Sequence, residues 1–224
     1  MKYYYLDNKV ALNGKYGEIS TGLLEEKKSK FYSYVFNIDN ELDAIEKINS
    51  IKRDNRDARH VVYIYSYLDN NMPVIRFSDD GEPQGTGTKA IYELLDKEKI
   101  TNILVVIVRY FGGILLGAGP LSRAYLNSSK DALDKLEKKE IFNYIEYSFN
   151  CSYNGYNILK NKLNRYIEEN IVKTQNSEFK ENVEVTLKVI DEYLDEIKNI
   201  IKEVNYDSKW CKQSCIFRWR HNLI

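Results

Sequence analysis

Residues 77–125 read FSDDGEPQGTGTKAIYELLDKEKITNILVVIVRYFGGILLGAGPLSRAY, and this stretch decides the fold. At its centre Ile103–Val108 is short, unbroken and mostly β-branched, the pattern of a strand buried on both faces. Two glycine-bearing segments flank it, Ser78–Lys89 and Arg109–Gly119. Behind the second, Pro120–Lys138 has helical spacing, with Leu121, Ala124, Tyr125, Ser128, Ala132, Leu133 and Leu136 toward the core. A buried strand, a glycine-rich turn and a helix start make a place where backbone N–H groups can point at an anion.

Working outward, Thr88–Lys97 reads as a short helix, and Val61–Leu68 with Val74–Phe77 as a hairpin turning at Asp69-Asn70-Asn71. Upstream, Asn40 is positioned as an N-cap with Glu41 and Asp43 at the positive end of the helix dipole. The stripe of that helix is Leu42, Ile45, Ile48 and Ile51, and it ends near Asn55. Ser20–Glu26 and Lys30–Phe36 have strand composition, and residues 1–20 read as an ordered tail leading into them. Downstream, Ile145–Tyr153 and Val183–Val189 alternate apolar and polar, as half-buried strands do. Helices are expected over Tyr156–Asn170 and Asp191–Val204. The order β-α-β-β-α, with room for one more strand, fits a ferredoxin-like plan. The charged Glu137–Glu140 stretch marks the boundary. The expected organisation is an α+β domain over 1–138, a smaller ferredoxin-like domain over 141–207, and a basic tail over 208–224.

Composition narrows the function classes. The 224 residues are 43% hydrophobic and 29% charged, suited to one or two globular domains. Thirty-three basic residues balance thirty-three acidic ones, and the balance holds on both sides of Glu140. Strong, nonspecific nucleic-acid binding driven by overall charge is not predicted, whereas a local basic face is compatible with the balance. Three cysteines are too few for a disulfide scaffold and match a reducing cytosol. Met1–Val10 lacks an apolar signal region, and no stretch approaches a membrane span of ~20 residues. The expectation is a cytoplasmic chain without membrane insertion. Nineteen tyrosines permit ordinary packing or a base-stacking surface.

Chemistry-bearing residues concentrate in the two glycine segments. Gly112, Gly113, Gly117 and Gly119 allow backbone conformations that side chains forbid. Gly119-Pro120 reads as N-cap and N1, and Arg109 and Arg123 stand close in sequence. This set suits a phosphate or carboxylate, or merely a tight strand-to-helix turn; both readings stay open. In the first segment Asp79, Asp80 and Glu82 could serve as acid and base or hold Mg²⁺. The simpler reading, and the favoured one, is that Asp79 and Asp80 cap turns and pair with Arg59 or Arg109. Gly-Thr-Gly-Thr-Lys, residues 85–89, lacks the Walker spacing, so nucleotide hydrolysis is not supported. His60 has no nucleophile in a recognisable motif. Cys211, Cys215 and His221 make a poor zinc set. No cofactor, no metal and no catalytic residue is expected.

These same residues carry a family resemblance. Glu26-Lys27-Lys28-Ser29-Lys30-Phe31, Asp57-Ala58-Arg59-His60, Phe77 to Pro83, Gly85-Thr86, Val108 to Gly117 and Arg123-Ala124-Tyr125 occur in an order that resembles the IMPACT / YigZ family over about residues 18–138. Pro120 departs from it, standing where many relatives have glycine, and the segment after Asp207 follows no family pattern. The resemblance implies a first domain similar to the ribosomal protein S5 domain 2-like fold and a second similar to the last domain of translational elongation factor G. It also implies a link to translation, since eukaryotic relatives regulate the starvation-response kinase that phosphorylates an initiation factor. Bacterial members are similar to cytosolic proteins sometimes labelled as peptidases. The leading expectation is therefore a non-catalytic regulator binding RNA, the ribosome or a translation factor. Its contact residues would be Lys28, Lys30, Arg59, His60, Lys89, Arg109, Gly112, Gly113, Gly117, Gly119 and Arg123. The alternative is a hydrolase or peptidase-like enzyme on a small anionic or peptide substrate, using Asp79, Asp80, Glu82 and His60 in a cleft between the loops. A pure protein-interaction module would instead show an exposed apolar patch, with the Val61–Leu68 tyrosines as candidates.

Overall fold

In the computed structural model, Ile103–Tyr110 forms the central strand of a five-stranded antiparallel sheet. The structure describes residues 2–8, 14–70, 72–179, 181–204 and 211–219; for Gln175 and 211–219 it describes the backbone alone. The chain divides into two compact units, Met1–Glu140 and Ile141–Ile224.

The first unit begins with β1 (Tyr4–Asp7), β2 (Ser20–Glu26) and β3 (Ser29–Asn37). Helix α1 (Glu41–Asp54) follows, then the hairpin β4 (His60–Asp69) and β5 (Met72–Ser78), then α2 (Lys89–Lys97). Central strand β6 (Ile103–Tyr110), α3 (Ala118–Leu133) and β7 (Glu137–Glu140) complete it. The sheet order is β2-β3-β6-β4-β5. Ile103, Val105 and Ile107 join one core with α2 and α3, while Leu104, Val106 and Val108 join another with α1. That explains an unbroken apolar run within an antiparallel sheet: helices cover both faces, so neither parity of the strand meets water.

Local chemistry sets most element ends, and in several places the structure departs from expectation. Asn40 caps α1, accepting from Asp43 N at 3.0 Å, but the buried stripe is Ala44, Ile48 and Ile51. Leu42 and Ile45 lie exposed, because the covered face follows the i, i+4, i+7 line through Ala44. Helix α3 starts earlier than Gly119-Pro120 suggested: its N-cap is Gly117, at φ 83°, and Pro120 sits in the first turn, where its missing N–H costs nothing. The same helix stops at Leu133, short of the expected Lys138, and Glu137–Glu140, read from the sequence only as a charged boundary, is strand β7 at the end of the first unit. It pairs antiparallel with β1, whose Tyr5 and Leu6 supply the buried apolar atoms that β7 lacks. Lys139–Asp7 (2.7 Å) and Lys138–Glu98 (2.9 Å) hold its charges. Residues 1–20 accordingly contribute a strand and not only a lead-in.

The second unit runs β8 (Phe142–Cys151), α4 (Tyr153–Glu168), β9 (Val172–Phe179), β10 (Val183–Ile190), α5 (Leu194–Val204) and β11 (Cys211–Trp219). Its four strands are antiparallel in the order β11-β8-β10-β9. Ser152 caps α4, accepting from Gly155 N at 3.1 Å, so β8 ends before Tyr153. Leu159, Leu163, Leu194, Ile197 and Ile201 pack on Ile145, Tyr147, Phe149 and the inward residues of β10. Residues 211–219, expected as part of a basic tail, are the fourth strand, paired antiparallel with β8 from Cys211↔Phe149 to Trp219↔Phe142 with a register shift between Ser214 and Ile216. Residues 205–210 and 220–224, including His221, lie outside the described residues.

Candidate functional site

Strand parity builds the site. On β6, Arg109 shares its parity with Val105 and Ile107, which face the α2–α3 side of the sheet; on β4, His60 precedes Val62 and Ile64 on the same side. His60 and Arg109 are register partners across the two strands. Arg109 therefore enters the interior at the end of the core rather than pointing to water.

The loop after β5 brings it a carboxylate. Glu82 Oε1 accepts from Arg109 Nη1 and from Tyr125 Oη (2.6 Å), and His60 Nε2 lies 3.7 Å from Glu82 Oε2. Glu82, Arg109 and Tyr125 are all buried. Burial, with Glu82 as hydrogen-bond acceptor, pushes the Tyr125 phenol far above its ordinary value, so it stays a donor. The guanidinium sits 5.4 Å from the Phe31 ring and 5.6 Å from the Phe111 ring, and Phe31 meets Tyr125 edge-on at 5.0 Å. Arg109 Nε is buried with no hydrogen-bond partner among the described residues.

The other two acidic-loop carboxylates are committed to structure. Asp79 accepts from Gly85 N (2.7 Å), Gly87 N (3.0 Å), Thr88 N (3.0 Å) and Thr88 Oγ1 (3.0 Å). It thereby folds the loop and places a negative charge at the start of α2, where Thr88 makes no side-chain cap of its own. Asp80 accepts from Lys52 Nζ (2.8 Å) and Val61 N (2.7 Å), and its carbonyl accepts from His60 Nδ1 (2.8 Å). Desolvation pushes the Asp80 carboxyl upward, but the Lys52 and Val61 hydrogen bonds and the Lys52 charge outweigh it and hold the group below the ordinary aspartate value. The expected pairing of these aspartates with Arg59 or Arg109 does not form: Lys52 takes Asp80, and Arg109 takes Glu82.

The second glycine segment arches over this cluster. A Cβ at Gly112 would fall 2.1 Å from Lys28 C, so only glycine lets the loop rest on the turn between β2 and β3. Gly112 N donates to Ser29 Oγ at 3.1 Å. Between Arg109 and α3 opens a cleft of about 530 Å³. Arg59, His60, Glu82 and Arg109 line its polar end, and Phe111, Leu115, Leu116 and Leu121 its apolar wall.

Of the sequence-derived residues, the cleft unites Arg59, His60, Glu82, Arg109 and Gly117. Lys28 is carried to the loop by the Gly112 contact, and Arg123 lies against Gly119, its Nη1 3.7 Å from where a Cβ would stand. Lys89 opens α2 beside Gly85, and Gly113 is exposed at the loop tip, at φ 82°. Lys30 lies apart: it lines a separate cleft with Tyr32, Tyr34 and Tyr110. Tyr125, Phe31 and Lys52 are members that sequence reasoning left as core or surface. The exposed apolar patch is not at Val61–Leu68, where Tyr65 is buried and Tyr63 and Tyr67 are half-buried. Beside the cleft, exposed apolar side chains gather at Phe111, Ile114 and Leu115, with Leu115 83% exposed. No group of three or more metal-binding side chains occurs among the described residues, and no helix there is long and apolar enough to cross a membrane.

Comparison with known proteins gives consistent matches. The family model for the Impact N-terminal domain matches residues 27–133. The IMPACT family member YigZ of Escherichia coli (strain K12) is 36% identical over 131 residues, spanning 58% of this chain and 64% of its own length. The IMPACT family member YvyE of Bacillus subtilis (strain 168) is 30% identical over 186 residues, spanning 82% of this chain and 78% of its own. A crystal structure described as a hypothetical protein aligns over 97% of this chain and 99% of its own, at 25% identity and TM-score 0.61.

Proposed function

The chain belongs to the IMPACT family, and from that premise we propose that it is a non-catalytic, translation-linked regulator of the cytoplasm that acts by binding RNA, the ribosome or a translation factor. Its first unit is read as ribosomal protein S5 domain 2-like. The second is read as ferredoxin-like, a reading supported by its β-α-β-β-α-β order and antiparallel strands. The carrying observation is the division of charge between the acidic loop and the cations of the cleft and its neighbouring turns. Asp79, Asp80 and Glu82 are each consumed by hydrogen bonds within the fold, whereas Lys28, Arg59 and Arg123 have no carboxylate partner among the described residues. Fixed acids and free cations around an apolar loop suit contact with a partner better than proton transfer to a substrate. The enzymatic alternative keeps only Glu82 and His60, and Glu82 already accepts two hydrogen bonds.

Sedimentation of the full chain with ribosomes, structured RNA and translation factors across a salt series tests the reading. Retention at low salt that falls as salt rises is expected, because local cations on a neutral chain must carry the contact. Absence of retention on all three at low salt would overturn it.

A further inference from the structure

The cleft also bears on the kind of partner. Ile114 and Leu115 stand out from the β6–α3 loop, and Phe111 is half in the cleft mouth; such a cluster on one loop is unusual for a surface that meets only water. Leu116 and Leu121 continue the same apolar surface inward. The volume of about 530 Å³ holds large side chains.

Charge then selects among ligands. Facing the cleft are Arg59, just before β4, His60 at the start of β4, Arg109 from β6, and Glu82 from the loop after β5. Glu82 is paired, Arg109 keeps a buried Nε without a partner, and Arg59 is exposed without a carboxylate. The backbone of Lys28 lies against Gly112 at the near end of the loop. The balance favours an anionic group set next to hydrocarbon. Nucleic acid fits this less well. Single strands are held by aromatic faces that stack on bases, along a continuous cationic groove. Here the outward residues, Ile114 and Leu115, are aliphatic, and the one aromatic ring, Phe111, already lies over the Arg109 guanidinium.

Building on the binding reading above, we propose that this cleft is a docking site for a segment of a partner protein in which acidic residues alternate with large apolar ones. An apolar side chain of the segment packs on Phe111, Leu115 and Leu121. A neighbouring carboxylate pairs with Arg59.

The test uses the full chain and short fluorescent peptides. One alternates Glu with Leu; a second has Lys in place of Glu; a third has Ser in place of Leu. An RNA oligonucleotide of matched length is the fourth probe. Binding is read by anisotropy, and the contact is located by amide NMR shifts over Phe111–Ala118. The Glu–Leu peptide is expected to bind and shift those amides. Leu115→Asp should weaken it by roughly tenfold or more, as removal of a central apolar anchor does. Arg59→Glu should weaken the Glu–Leu peptide and strengthen the Lys–Leu one. Both substitutions fall at exposed positions, and circular dichroism confirms that the variants fold. No binding of the Glu–Leu peptide, binding unchanged by Leu115→Asp, or RNA shifting these amides in its place would overturn the docking site. Ribosome, RNA and factor sedimentation of the same proteins separates the two readings. Retention lost in Leu115→Asp without any peptide binding leaves the general binding function standing and removes this one. Loss of retention in the unaltered chain removes the function itself.

Discussion

The two glycine-bearing loops of the first unit are alike in composition and opposite in construction. Ser78–Thr88 is saturated: Asp79 alone receives four hydrogen bonds, Asp80 receives two at its carboxylate, and Glu82 is buried against Arg109 and Tyr125. Phe111–Gly117 is held mainly at its ends, by Gly112 on the β2–β3 turn and Gly117 at the α3 cap, while Ile114 and Leu115 project outward. A loop that satisfies its own polar groups is scaffold. One that leaves apolar side chains in water, at an entropic and hydration cost, is placed to meet something else. Glycine content alone did not distinguish them; side-chain bonding does.

The sharpest break in the scaffold loop is Glu82→Ala. It leaves the Arg109 guanidinium buried beside two rings without its anion, and a loss of about 4 kcal/mol is expected in urea unfolding. Replacing both partners by Met, Glu82→Met with Arg109→Met, should cost far less than Glu82→Ala alone, since no charge is then stranded. A double variant as unstable as the single one would mean that the pair's geometry, not its charge, holds the loop.

Asp79→Ala comes next. The carboxylate folds the loop through three backbone N–H groups and one hydroxyl, and it supplies the anion at the α2 start. Loss of roughly 3 kcal/mol is expected, with Asp79→Asn recovering part of it because one amide oxygen can still accept. A change below about 0.5 kcal/mol would show that water replaces these bonds and that the loop is not scaffold.

Much of this architecture could be read from the chain because it is local. The parity of Ile103–Val108 fixed two buried faces, and Asn40 marked its helix start within one residue. Strand β7 was not legible: Glu137–Glu140 carries no apolar side chain, and its reason for pairing lies in Tyr5 and Leu6, far away in the sequence. The site divides in the same way. Arg109 and Glu82 were both singled out, but their union spans 27 residues, and that of Glu82 with Tyr125 spans 43. No periodicity encodes such a meeting. Lys30 is a different case. It alternates with Phe31, which packs in the α2–α3 core, so strand parity alone separates Lys30 from the cleft.

Neighbouring leucines give the smallest effect and the finest version of the comparison. Leu115 is 83% exposed and Leu116 is 5% exposed, one residue apart in the same loop. Leu116→Ala should cost about 2 kcal/mol, since the buried side chain leaves a cavity behind it. Leu115→Ala should change unfolding free energy by less than about 0.5 kcal/mol, because there is almost no native burial to lose. If Leu115→Ala also leaves sedimentation with ribosomes, RNA and factors untouched, then the exposed side chain serves neither stability nor contact, and the contrast between the two loops loses its functional meaning. If stability holds while binding falls, the position is kept apolar for a partner and not for the fold.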